Sequence, residues 1–137
     1  MKLFSSMHIS ASALTAERLR MNVISNNIAN AHSTRTASGK AYQRERVVFS
    51  PIPPTASGAA GGGVKVVAIV ADPRPGSVVH DPSHPDADEQ GNVTYPNVDI
   101  ATEMVDMISA ARAYEANAVA LQTAKMMVSK ALEITQG

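Results

Sequence analysis

A chain of 137 residues with 12 Lys and Arg against 12 Asp and Glu has no net field to recruit nucleic acid or an anionic membrane surface. It has no cysteine, which excludes disulfides, thiolate catalysis and sulfur-ligated zinc; two Phe and three Tyr within a 45% hydrophobic fraction favour close helix packing over a bulky aromatic interior. The length fits one domain, no run reaches the ~18 apolar residues of a membrane span, and MKLFSSMHIS lacks the apolar core of a secretory signal, so any export is expected by an uncleaved route.

The spacing predicts a first helix over residues 6–31, within a helical end of residues 1–31. Leu14, Met21, Ile24 and Ile28 form one apolar face, while Leu19 and Val23 lie nearly opposite. Asn22, Asn26 and Asn30 recur every four residues along one edge, although amides cost a helix some stability. Such a ladder suits burial among several neighbours, where amides bond across and fix register. For Asn30 and the following HST, the competing reading is that they end the helix.

The middle, residues 32–98, holds all eight Pro and seven of the eight Gly, and reads as a small β-rich, loop-rich insertion. RVVFS and VKVVAIVA are expected strands, with Val64, Val66, Ala68 and Val70 on one face, and GNVTY a third. PIPPTASGAAGGG between the first two is too long and flexible for a tight turn, so a mobile loop is expected. HDPSHPDADEQGN is the one dense cluster of ligand types. Asp86, Asp88 and Gly91 echo a calcium loop, but Gln90 takes the fifth position and Asn97 stands where a bidentate Glu is required. With Pro82 and Pro85 the stretch, including His80, Asp81 and His84, reads as a rigid structural turn. GAAGGGVK lacks the Gly-Lys-Ser/Thr of a phosphate loop and is taken as linker. No catalytic, cofactor or metal site is expected, nor a small-molecule substrate, and the chain does not read as an enzyme.

The C-terminal end, residues 99–137, carries the strongest helix: positions 99–136 contain nine Ala and no Gly or Pro. Met104, Ala111, Ala118, Lys125 and Leu132 are spaced by seven, with Met107, Tyr114, Leu121 and Val128 three residues out of phase, which together predict a coiled-coil-like seam. Asp99 is the expected N-cap. Val105, Ile108, Val119 and Met126 fall on a second stripe that one partner helix cannot also cover.

ALTAERLRMNVISNNIANAHST resembles the N-terminal signature of the bacterial flagellar axial proteins of the rod and hook, and EMVDMISAARAYEANAVALQTAKMMVSKALEI resembles that family's closing helix. HPDADEQGNVTYPNVD is similar to the proximal-rod member in particular. The resemblance implies a mainly α fold with a small β-rich insertion, its terminal helices pairing as a coiled-coil-like inner domain and its β-rich middle packed outside. It implies a structural subunit of the proximal rod of the flagellar basal body, exported by the flagellar type III apparatus and assembled helically in the periplasm. Its partners would be other rod proteins, copies of itself and nearby basal-body ring components. The assembly interface is then expected at Leu14, Met21, Asn22, Ile24, Asn26, Ile28, Asn30, Met104, Met107, Ala111, Tyr114, Ala118, Leu121, Val128 and Leu132. Phe4 lies where an export-gate motif would sit, but His8 stands where that motif needs an apolar residue. The alternative from another class is a soluble coiled-coil adaptor binding helical partners.

Overall fold

The computed structural model describes residues 2–53 and 62–136. Helix α1 (Lys2–Ala29) is followed by strands β1 (Glu45–Pro51), β2 (Val64–Ala71), β3 (Val78–His80) and β4 (Asn92–Thr94), and the chain closes with helix α2 (Ile100–Gln136). The two long helices pack antiparallel: Asn27 near the end of α1 meets Glu103 near the start of α2, while Leu14 shares a groove with Ala118 and Leu121. The fold is thus mainly α, with a small β region of two separate two-stranded sheets set between paired terminal helices. No described helix is long and apolar enough to cross a membrane.

Each helix end has a local cause. At the start of α2, Asp99 Oδ1 accepts from the Ala101 N–H at 3.0 Å and Oδ2 from the Thr102 hydroxyl at 2.8 Å, so the expected N-cap is in place. These two bonds hold the Asp99 carboxyl below the usual carboxylate range, the Thr102 contribution being the larger. At the end of α1, Asn30 Nδ2 donates back to the Asn26 carbonyl at 3.0 Å and Asn30 Oδ1 accepts from Ser33 Oγ at 3.0 Å. Asn30 therefore terminates the helix. α1 begins earlier than the expected residue 6, since nothing in the first turn breaks it.

The helix contact is lined by small side chains. Ala16 on α1 and Ala110 and Ala124 on α2 are buried, with Val23 and Ile24 completing the apolar contribution of α1. On α2 the face turned toward α1 runs through Glu103, Ala110, Asn117 and Ala124, flanked by half-buried Met107, Tyr114, Leu121 and Val128. The two series of the expected seam therefore differ in their surroundings within the subunit. The Met104, Ala111, Ala118, Lys125, Leu132 series stands one residue later, turned by ~100°, and Met104, Ala111, Lys125 and Leu132 are exposed. Hydrophobicity ranks Met104 above Glu103 as a core residue, but a specific set of partners takes the Glu103 carboxylate inside.

The two expected strands are β1 and β2, and they pair as an antiparallel hairpin with a register shift between Val48 and Phe49. Val64, Val66, Ala68 and Val70 are the half-buried face, as the alternation indicated, and the hairpin lies against α1. Gly63, at φ +113°, lets the strand approach so closely that the Val64 N–H donates to Ser12 Oγ at 3.1 Å. The greater part of the expected mobile loop, residues 54–61, lies outside the described residues. The expected third strand is β4, and it pairs with β3, which at three residues is too short to register as a period in sequence.

Gly76 sits where the chain crosses the backbone of Tyr95: a Cβ there would lie 1.8 Å from the Tyr95 carbonyl oxygen. Gly76→Ala is expected to lower stability in urea unfolding by at least ~1–3 kcal/mol, because backbone must move to make room. Gly39→Ala, where φ is +77° but nothing lies within 4 Å of the added carbon, is expected to cost only the ~1–2 kcal/mol of a left-handed residue.

Candidate assembly interface

The residues that fix the relative placement of α1, α2 and the middle meet at one polar junction. Asn27 is fully buried and uses both ends of its amide: Nδ2 donates to the Glu45 carbonyl at 2.8 Å and to Glu103 Oε2 at 2.9 Å. Its Oδ1 accepts from the Glu45 N–H at 3.0 Å and the Tyr42 hydroxyl at 2.8 Å. Glu103, also fully buried, receives Arg44 Nε on its other oxygen. The Arg44 guanidinium reaches on to Asp106 at 3.1 Å and to Asp72 at 3.7 Å. Three carboxylates, two on α2 and Asp72 just after β2, thus surround one largely buried cation.

Arg44 is in turn held by its own backbone. Its N–H donates to Asn97 Oδ1 at 2.8 Å and its carbonyl accepts from the Asp72 N–H at 2.7 Å, while Asn97 Nδ2 donates to the carbonyls of Asp72 and Arg74 at 3.1 and 2.9 Å. The Arg74 side chain grips the Asp72 carboxylate, with contacts of 2.6 to 3.0 Å, and together with the Arg74 N–H drives the Asp72 carboxyl well below its ordinary range. Burial pushes the Tyr42 hydroxyl up, reinforced by the charge of Glu45.

The 80–92 stretch is built as a turn. Asp81 Oδ1 accepts from the Ser83 N–H and hydroxyl, and Asp88 Oδ1 from the N–H groups of Gln90 and Asn92. Asp86 ties the loop to the segment after α1, through Thr34 Oγ1 at 2.7 Å and Arg35 at 3.1 Å. Among the described residues no group of three His, Asp or Glu side chains gathers in a metal-holding arrangement.

The expected interface residues fall into three groups. Ile24 is buried in the helix contact, while Met21, Ile28, Asn30, Met107, Tyr114 and Val128 are half-buried. Leu14, Ala118 and Leu121 line a groove of about 610 Å³ with Gln122, Lys125, Met126 and Ser129, the exposed Lys125 at its rim. Asn22, Asn26, Met104, Ala111 and Leu132 are exposed, and Asn26 also donates to the Tyr42 hydroxyl at 3.2 Å. The second stripe of α2 stands out more clearly. Val105, Ile108, Val119 and Met126 are each more than half exposed, on the side of α2 opposite its buried face. Phe4 is exposed as well.

Sequence reasoning missed Asn27, Arg44, Asp72, Asn97 and Glu103. The available signal was positional: Asn27 follows Val23 by four and Ile24 by three, so it lies on a buried face, and Glu103 precedes Ala110 by seven. Neither position shows which residue of the middle completes the site.

Comparison with known proteins gives one consistent result. A family described as "Flagella basal body rod protein" matches residues 7–35, and one described as "Flagellar basal body rod FlgEFG protein C-terminal" matches residues 89–134. Proteins named flagellar basal-body rod protein FlgC are similar over the full length. That of Borreliella burgdorferi is 45% identical over 100% of both chains, and that of Bacillus subtilis 45% identical over 98% of this chain and 99% of its own. The protein of Escherichia coli O6:H1 is 43% identical, covering 99% of this chain and 100% of its own.

Two outcomes are expected at the junction. Asn27→Ala strips partners from the Tyr42 hydroxyl, the Glu45 N–H and Glu103, so it is expected to cost about 2–5 kcal/mol in chemical denaturation, against a few tenths for Asn22→Ala on the exposed edge. The depressed Asp72 carboxyl contributes stability that is fully present above its unfolded value of about 4 and is lost as pH falls through the lower folded value. Asp72→Asn is therefore expected to flatten the loss of stability below about pH 4, read as melting temperature against pH.

Proposed function

The chain belongs to the FlgC family of flagellar basal-body rod proteins and is a structural subunit of that rod, not an enzyme, and from this premise we propose that it builds the proximal rod. It assembles there helically with other rod proteins and copies of itself, as part of the drive shaft. The observation that carries the reading is similarity over the whole chain, 45% in the Borreliella burgdorferi protein, with family matches at both helical ends. The subunit belongs in the flagellar basal body among other basal-body rod components. Within it we assign the periplasmic rod as its place, with ring components nearby, and the flagellar export apparatus as its route, without a cleaved signal peptide.

Residues 1–31 and 99–137 form the inner rod domain in this reading, and 32–98 the outer segment. Pairing of α1 with α2 supports that division, as does an α2 whose outward stripe is as apolar as its inward face. The inward residues, Leu14, Met21, Ile24, Ile28, Met107, Tyr114, Ala118, Leu121 and Val128, shape the helix pair that a neighbour meets. The exposed Asn22, Asn26, Met104, Ala111 and Leu132, with Val105, Ile108, Val119 and Met126, make the contact itself. Asn30 sets where α1 ends. A cytoplasmic adaptor has no comparable support.

Val119→Asp puts a carboxylate on the outward stripe, where burial against a neighbour costs several kcal/mol without a partner. The variant is expected to be made and to fold normally yet fail to build rods, leaving cells non-motile, whereas Gln122→Ala is expected to swim. Normal rods and swimming in Val119→Asp cells would remove the outward stripe from the assembly surface.

A further inference from the structure

The two ends of the helix pair are held by different chemistry. Toward Leu14, Leu121 and Ala124 the contact is mainly apolar and is made by side chains of the two helices. At the Asn27 and Glu103 end it is polar and fully buried, and helices alone leave it incomplete. Among the described residues of α1 the Glu103 carboxylate receives the neutral Asn27 amide, which does not offset the desolvation of a buried charge, while the nearby α1 cation Arg20 pairs with Asp106 at 3.8 Å and Glu17 at 3.6 Å and not with Glu103. Asn27 Oδ1 draws both of its donors from Tyr42 and Glu45 in the middle segment.

The compensating cation, Arg44, also comes from the middle, and its position depends on that segment being folded. Asn97 holds its N–H and Asp72 its carbonyl; the β1–β2 hairpin lies between Arg44 and Asp72, and the β3–β4 pair between Asp72 and Asn97. We propose that Arg44 is a folding checkpoint: α1 and α2 close on each other at the Asn27 and Glu103 end only after the middle segment has folded and delivered the Arg44 guanidinium to Glu103. Closure of the helical ends is thereby conditional on the β-rich part. An apolar residue at 103 would let the ends pair whether or not the middle had folded.

The test is hydrogen exchange on the purified full-length chain. Arg44→Gln is expected to lower protection of amides in residues 20–31 and 100–110 by about 100-fold or more, since it leaves Glu103 buried and uncompensated. Adding Glu103→Gln to Arg44→Gln is expected to restore about tenfold or more of that loss, because the stranded charge is gone. Arg46→Gln, at an exposed cation two residues on in β1, is expected to change neither region. In pulse labelling during refolding of the unaltered chain, residues 20–31 and 100–110 are expected to gain protection no earlier than 45–51 and 64–71. The proposal is overturned if Arg44→Gln leaves the junction protected, if the double variant is no better than Arg44→Gln alone, or if the helix junction is protected before the hairpin. Should Arg44→Gln fail to fold, recovery of folding in the double variant supports the checkpoint and its absence removes it.

Discussion

A carboxylate with no exposure to water needs a compensating cation within reach, and this structure is arranged around supplying one to Glu103. Arg44 meets it, Asn27 satisfies its second oxygen, and the groups that position these two extend outward to Tyr42, Glu45, Asp72 and Asn97. Through these bonds the first helix, the last helix and the chain between them share one point of registration. The apolar core could not supply it alone: apart from Val93, the buried hydrophobic residues are mostly alanines with one Val and one Ile. Burial of such small groups is favourable but only weakly directional. Register comes from the polar junction.

The large features were legible in the sequence because each has a period or a breaker. A C-terminal run free of Gly and Pro, Asp99 ahead of it, and alternating Val64, Val66, Ala68 and Val70 all appear where the residues indicated. β3 escaped because Val78–His80 is shorter than one useful period. The inward face of α2 was displaced by one residue because hydrophobicity favours Met104, whereas the position is decided by Arg44, fifty-nine residues away in sequence. Asn27 escaped similarly, since its partners at Tyr42 and Glu45 follow from tertiary placement and not from spacing. The four-residue asparagine spacing drew the eye to the exposed edge, while the amide that matters lies between its members.

The two opposite faces of α2 bear on how the subunit fills its role. An inward face of Ala110 and Ala124 accommodates α1 at close range, and an outward stripe of Val105, Ile108, Val119 and Met126 differs from it in size and shape. Because α1 already covers the inward face, the outward stripe is the one left for a neighbour, and in the helical assembly proposed above it meets a different surface of the next subunit, a heterologous contact that does not close on itself in a pair. Repeated addition then extends a filament in preference to capping a dimer.

Alanine at the helix contact also has a mechanical consequence. A side chain without rotamers loses no rotameric entropy on burial and has no alternative conformers to hop between. Where Ala16, Ala110 and Ala124 separate the two helices, a twisting load finds no rotamers into which to dissipate, and it passes directly to the hydrogen-bonded backbones on either side. Sparse side chains at this surface therefore give a shaft element little internal play.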